Sequence, residues 1–139
     1  FSFPADVVVL PAIRGTMRAA CRGLGAADKG IAALELALDE VITNTLVHSF
    51  GFDRSKRFRV AVRADAPGRT LTITLRDRGR ENKKGWTVDE KKALARVEEG
   101  RAGGLGRFLT SRMVDSIAYR RLRGENVLVL VKSLGTVPS

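Results

Sequence analysis

Apolar residues in the first fifty positions recur every three or four places. Ile13, Met17, Ala20, Cys21 and Leu24 mark one face of a helix that Asp6 caps, that carries Pro11 in its first turn, and that ends near Gly23 or Gly25. Asp28 caps a second, longer helix running to about Ser49 and closed by Gly51. Beyond Gly51 the period shortens to two. Phe58, Val60 and Val62 alternate with Arg57, Arg59 and Arg63. After an Ala66-Pro67-Gly68 turn, Leu71, Ile73 and Leu75 alternate with Thr72, Thr74 and Arg76. This pattern predicts two antiparallel strands with one wet, basic face.

Residues 78 to 102 are polar and charged, with a short helical stretch around Asp89 to Val97 and no strand. So long a connection in a small domain is usually functional or disordered. Gly103-Gly104-Leu105-Gly106 then opens a helix through Phe108, Leu109, Met113 and Val114. Two further strands follow, Ile117 to Leu122 and Val127 to Lys132, joined at Gly124-Glu125-Asn126. The order is short strand, helix, helix, hairpin, loop, helix, hairpin. It predicts an α/β domain of the two-layer α+β kind, with a mixed, mostly antiparallel sheet and helices on one face. The other face carries Arg57, Arg59, Arg63, Arg76 and Arg120.

A chain of 139 residues, 44% of them apolar, supports one core and predicts a single domain over residues 1–139. Its longest apolar run, Val7 to Ile13, is broken by Pro11 and falls far short of the roughly 20 residues a membrane span needs. A cytoplasmic, non-membrane protein is the expectation. Cys21, the single cysteine, shares its helix face with Met17 and Leu24 and is read as core. The net charge of +10 is uneven: residues 1–50 carry −1 and residues 51–139 carry +11. The second half therefore favours anionic partners without choosing among nucleotide phosphates, acidic protein and nucleic acid.

Within the long helix, Glu40, Asn44 and His48 recur at four-residue intervals, about 40 degrees apart, and form one stripe with Ala33 and Ala37 between them. Val41 and Leu34 stand on one side, Val47 and Leu36 on the other, while Glu35, Asp39 and Thr43 form a separate polar flank for the solvent side. A carboxylate enclosed by apolar residues needs a cation, a donor or a water-filled pocket. Two readings stand open: a helix edge at which Glu40 reaches water, or a set of hard oxygen atoms suited to Mg²⁺, which usually accompanies phosphates. Two other segments bear on the choice. Asp77-Arg78-Gly79 puts a carboxylate at a strand end, which is also an ordinary turn sequence. The glycines of Gly103-Gly104-Leu105-Gly106 let backbone approach an anion at a helix start, with Arg101 and Arg107 nearby, although a plain glycine hinge reads the same way.

In this order, Glu40-x-x-x-Asn44 on a helix, Asp77-x-Gly79 after a strand and Gly104-x-Gly106 at a helix start resemble the boxes of the ATP-binding superfamily of gyrase B, histidine kinases and MutL. The segments ELALDEVITNTLVHSF and GGLGRFLTSRMVD, with the small size and the absence of a phospho-accepting histidine helix, resemble the anti-sigma-factor serine kinases of bacterial partner-switching systems. The resemblance implies Glu40 as catalytic base toward a partner's serine and Asn44 as the Mg²⁺ ligand. It implies Asp77 as acceptor for the adenine amino group, with Gly79 in the same box. Arg101, Gly103, Gly104, Leu105 and Gly106 would bind the phosphates of ATP, and residues 78–102 would form a lid. His48 matches a position where the family often has His, in a structural or lid-facing role. The implied partners are a STAS-type anti-anti-sigma substrate, a sigma factor or equivalent regulator, and a second copy of the chain.

The chain departs from the pattern after Gly79. Where the family continues with a second glycine or a Pro-Phe pair, it reads Arg80-Glu81-Asn82-Lys83. A partner-binding module of the same fold with weakened or absent nucleotide binding is therefore the alternative to a kinase. Nucleic-acid binding through the Arg-rich face ranks last, because those strands place no aromatic residue on their polar face for base stacking.

Overall fold

The computed structural model describes residues 1–26, 28–51, 53, 55–65, 69–81, 110 and 112–134. A short strand β1 (Ser2–Pro4) leads through a 3-10 turn (Val7–Val9) into helix α1 (Leu10–Gly23). Helix α2 (Asp28–Asn44) follows and ends in a π-helical turn (Thr45–Ser49). Strands β2 (Arg57–Asp65), β3 (Thr70–Asp77), β4 (Ser116–Leu122) and β5 (Glu125–Ser133) complete the described elements. The sheet has five strands in the order β1-β2-β3-β5-β4, and each neighbouring pair is antiparallel, so the expected mixed sheet is antiparallel throughout these strands.

The two periods read from the sequence become the two layers. On the sheet's inner face Phe58, Val60, Leu71, Ile73, Leu75, Leu128 and Leu130 are buried. Against them lie Ile13, Met17 and Cys21 of α1 and Ile31, Leu34, Leu38, Val41 and Ile42 of α2. Each fully buried aliphatic side chain contributes about 1.5–3 kcal/mol by leaving water. Cys21 belongs to this core, with its Sγ 3.6 Å from the Met17 Sδ, and burial pushes its thiol pKa up, with Glu35 a lesser cause.

The helix ends follow local chemistry. Asp6 caps the 3-10 turn rather than α1: its Oδ1 accepts the Val8 N–H at 3.1 Å, and α1 begins behind it with Pro11 in its first turn. At the far end of α2, the Thr45 hydroxyl donates to the Val41 carbonyl at 3.0 Å, beside the backbone amides that would use the same acceptor. The helix widens into its π turn from that residue, and Gly51, at φ +56°, ends it in the left-handed conformation.

One expectation needs revising. Glu35 and Asp39 do not serve an open solvent face but meet α1, where Glu35 pairs with Arg18 and Asp39 lies 3.5 Å from Arg14. The reason is that α1 crosses the side of α2 that carries them. Leu36 is the reverse case: it is 59% exposed, so the Glu40 stripe is not walled by apolar packing on that side.

Candidate functional site

Asp77 is the last residue of β3 and shares the inward parity of Leu71, Ile73 and Leu75, so the strand that builds the core delivers a carboxylate to its rim. The chain then turns at once. The Gly79 N–H donates back to the Asp77 Oδ1 at 2.9 Å, and the Arg80 N–H donates to the Ser49 carbonyl at 2.9 Å. A methyl group on Gly79 would land inside the Ser49 backbone, so only glycine allows the strand end to lie this close to the end of α2.

Asn126 holds the same segment from the other side. It is buried in β5, opposite Asp77 in the register, and its amide donates to the Asp77 Oδ1 and the Arg80 carbonyl, each at 2.8 Å. Its own oxygen accepts from the Tyr119 hydroxyl at 2.6 Å and from Arg121 Nη1 at 3.0 Å. Arg121 Nη1 also donates to the Gly79 carbonyl at 2.7 Å. The pKa of Asp77 is raised, chiefly by burial. Hydrogen bonds from Asn126, the Gly79 N–H and Ser49, and the charge of Arg121, oppose that rise.

On α2, Glu40 and Asn44 are both half-buried, and the Asn44 amide donates to the Glu40 Oε1 at 3.0 Å. This fixes the orientation of both side chains. Asn44 thus turns its N–H₂ toward Glu40 and its carbonyl oxygen away from it. The π turn then carries the helix to Ser49, where its backbone receives Arg80 and its hydroxyl meets Asp77. The Glu40 and Asn44 helix and the Asp77-Arg78-Gly79 turn are thus joined through Ser49.

The remaining expected site residues, Arg101, Gly103, Gly104, Leu105 and Gly106, lie outside the described residues, as do residues 82–102 of the expected lid and the His48 side chain. Of the helix expected after the glycines, Thr110, Arg112 and Met113 are helical, and Thr110 and Val114 are buried. Sequence reasoning passed over Ser49, Tyr119, Arg121 and Asn126. For Asn126 a signal existed: it shares the parity of Leu128 and Leu130, which makes it an inward polar residue beside the strand end that carries Asp77.

The outer face differs from the simple basic surface expected of it. Glu125 sits between two of its arginines, 2.5 Å from Arg59 and 3.0 Å from Arg76. The Arg76 hydrogen bond, with Arg59 as a lesser cause, holds its carboxyl below the usual range.

A profile of the histidine kinase-like ATPase domain matches residues 3–132, and the chain belongs to that family. The fold is the two-layer α+β arrangement of its ATPases, and ATP is the nucleotide the family implies. A histidine kinase domain from the Erythrobacter litoralis EL346 blue-light activated histidine kinase is 22% identical, with a TM-score of 0.50 over 76% of this chain and 45% of that one. A second structure of the Erythrobacter litoralis EL346 kinase is 20% identical, with a TM-score of 0.54 over 78% of this chain and 32% of that one. The chain thus spans less than half the length of either. A chain of the SiaB-SiaC complex from Pseudomonas aeruginosa is 14% identical, with a TM-score of 0.65 over 95% of this chain and 87% of that one. No curated protein matches, and no described helix is long and apolar enough to cross a membrane.

The described residues fit the implied group. A buried carboxylate at a strand end suits the amino edge of a purine. A half-buried amide oxygen suits a hard cation that completes its shell with phosphate oxygens and water. Among the described residues no group of three or more His, Cys, Asp or Glu could hold a metal ion.

Proposed function

We propose that this domain binds Mg-ATP and transfers its terminal phosphoryl group to a serine of a small anti-anti-sigma-type protein. We also propose that it sequesters a sigma factor or equivalent regulator until that antagonist competes. The hydrogen bond from Asn44 to Glu40 carries the reading, since it aligns a carboxylate with an amide whose oxygen is left for Mg²⁺. ATP supplies the group transferred. Glu40 accepts the proton of the serine hydroxyl, Asn44 contributes one oxygen to Mg²⁺, and Asp77 accepts the adenine amino group, with Gly79 allowing the close turn beside it. Arg101 and Gly103 to Gly106 meet the phosphates, and residues 78–102 close over them. Positioning and charge neutralisation supply most of the catalysis in such a transfer.

The solved SiaB-SiaC pair, which contains a chain of this fold, supports an assembly with a protein partner, and the family resemblance supports a homodimer and a cytoplasmic setting. Glu40→Gln tests the assignment: ATP should still bind, as read by calorimetry, and transfer of radiolabelled phosphate to the antagonist should stop. Retained transfer would remove Glu40 from the role of base.

One observation favours a second reading. Asp77 already accepts hydrogen bonds from Gly79, Asn126 and Ser49, so an adenine amino group would share its carboxylate, of about four acceptor positions, with three protein donors. With Arg80-Glu81 following, this arrangement supports a partner-binding module of weak nucleotide affinity. Calorimetry with and without Mg²⁺ separates the two: micromolar, magnesium-dependent binding supports the kinase, and no binding at millimolar ATP supports the module.

A further inference from the structure

At one end of the sheet's outer face lies a cleft of about 510 Å³, lined in part by Lys56, Arg57, Arg59, Arg76, Arg78 and Glu125. Arg57, Arg59 and Arg76 reach it by strand parity, opposite in direction to the core residues Phe58 and Leu75, so most of the cleft faces away from Glu40 and Asn44. Asp77 is the one expected nucleotide contact among its lining residues.

Its cations are not equivalent. Arg57 donates to the Ser2 hydroxyl and carbonyl at 3.0 Å each, and Arg59 and Arg76 converge on Glu125. Lys56 and Arg78 are exposed; Lys56 interacts electrostatically with the equally exposed Asp53, and the Arg78 side chain has no hydrogen-bond or ion-pair partner among the described residues. Five cations against the carboxylates of Glu125 and Asp77 leave an excess of positive charge. Glu125 displays what the cleft accepts, a protein carboxylate held by two guanidinium groups at once. Beyond the cleft the outer face continues over Thr72 and Thr74 of β3 and Val129 of β5, a floor of hydroxyls and aliphatic groups. Among the described outward residues of these strands none is aromatic, so the face offers no platform for stacking bases.

We propose that this cleft is a docking site for an acidic segment of a partner protein. Its carboxylates would pair with Lys56 and Arg78, and its backbone would run onto the threonine and valine floor. Neither Glu40 nor Asn44 lines the cleft, and its only approach to their side of the domain is at Phe50 and Asp77.

The test is fluorescence anisotropy with a labelled decapeptide of alternating Glu and Ser, titrated with the wild-type chain, with Lys56→Glu/Arg78→Glu, and with Arg22→Glu/Lys29→Glu, at exposed positions on α1 and α2, as a charge-matched control. The wild type and the control should bind the peptide alike, and binding should weaken with added salt. The double variant should lose at least about tenfold in affinity, the scale expected when close opposite charges become like charges. Circular dichroism checks folding. If the double reversal does not fold, Lys56→Gln/Arg78→Gln replaces it and should still lose about threefold. Absence of peptide binding, equal loss in the Arg22/Lys29 control, or tighter binding of an oligothymidine of equal charge would each overturn the proposal.

Discussion

Asn126 of β5 faces Asp77 of β3 across the sheet as a register pair, and its amide donates to the Asp77 carboxylate at 2.8 Å while also reaching the Arg80 carbonyl. One side chain thus fixes a carboxylate and the backbone of the turn that follows it. The turn is held from its other side by the Ser49 carbonyl, so the rim of the sheet is fastened to both layers of the fold.

Asn126→Ala should therefore act in two ways. It removes one of the two hydrogen bonds to the Asp77 Oδ1 and the one to the Arg80 carbonyl, which costs about 1–3 kcal/mol, and it frees the Gly79-Arg80 turn to move. Urea unfolding should show the lower stability, and calorimetry should show weaker ATP binding. Unchanged binding in a destabilised variant would assign Asn126 to folding alone.

Gly79→Ala probes the same turn through sterics. The added methyl collides with the Ser49 backbone, a neighbour with no side-chain freedom to give way, so the turn or the end of α2 must shift. Overpacking of this kind costs about 1–3 kcal/mol. Denaturant melts should show that loss. Gly124→Ala, in the β4 to β5 hairpin at φ +75°, strains only its own backbone and should leave nucleotide affinity near wild type.

How far the sequence disclosed this arrangement differs between fold and site. Ile13, Met17 and Cys21, and Leu71, Ile73 and Leu75, carry periods of 3.6 and 2 that the structure reproduces, because burial on one face is recorded in spacing. Asp77 and Gly79 were legible as a strand-end turn. What closes on them was not: Ser49 looks like an ordinary helix terminus, and Asn126 like the last residue of a hairpin turn. Their roles arise from β5 lying beside β3 and from the π turn that brings Ser49 to Gly79, and both are tertiary facts with no local period. Glu35 and Asp39 were misplaced for the same reason, since only the crossing of α1 gives them Arg18 and Arg14.

Asn44→Ala should separate metal from nucleotide. Its amide donates to Glu40, so the variant loses both the oxygen proposed for Mg²⁺ and the restraint on Glu40. Magnesium-dependent ATP affinity should fall at least about tenfold, the effect of losing a single charge-assisted contact. Affinity in the presence of a chelator should change little. Equal affinities in magnesium for wild type and variant would make Asn44 a structural residue.

The raised pKa of Asp77 gives the last prediction a definite sign. Burial, the largest cause, makes the native state hold the proton to a higher pH than the unfolded chain does, whose value is near 3.8. Between those two values the native state binds more protons. The contribution of Asp77 to stability therefore falls as pH rises through that window and is constant above it. Asp77→Asn removes this dependence: its thermal midpoint should not show the decline, and at neutral pH it should be no lower than that of wild type. ATP binding should move the other way. In the proposed site the ionised carboxylate accepts the adenine amino group, so wild-type affinity should weaken as acidification protonates Asp77, beginning at a higher pH than for an ordinary aspartate. The variant should bind weakly at every pH. Thermal melts and calorimetric titrations across the same pH series measure both trends, and a pH-independent affinity in the wild type would exclude Asp77 as the adenine acceptor.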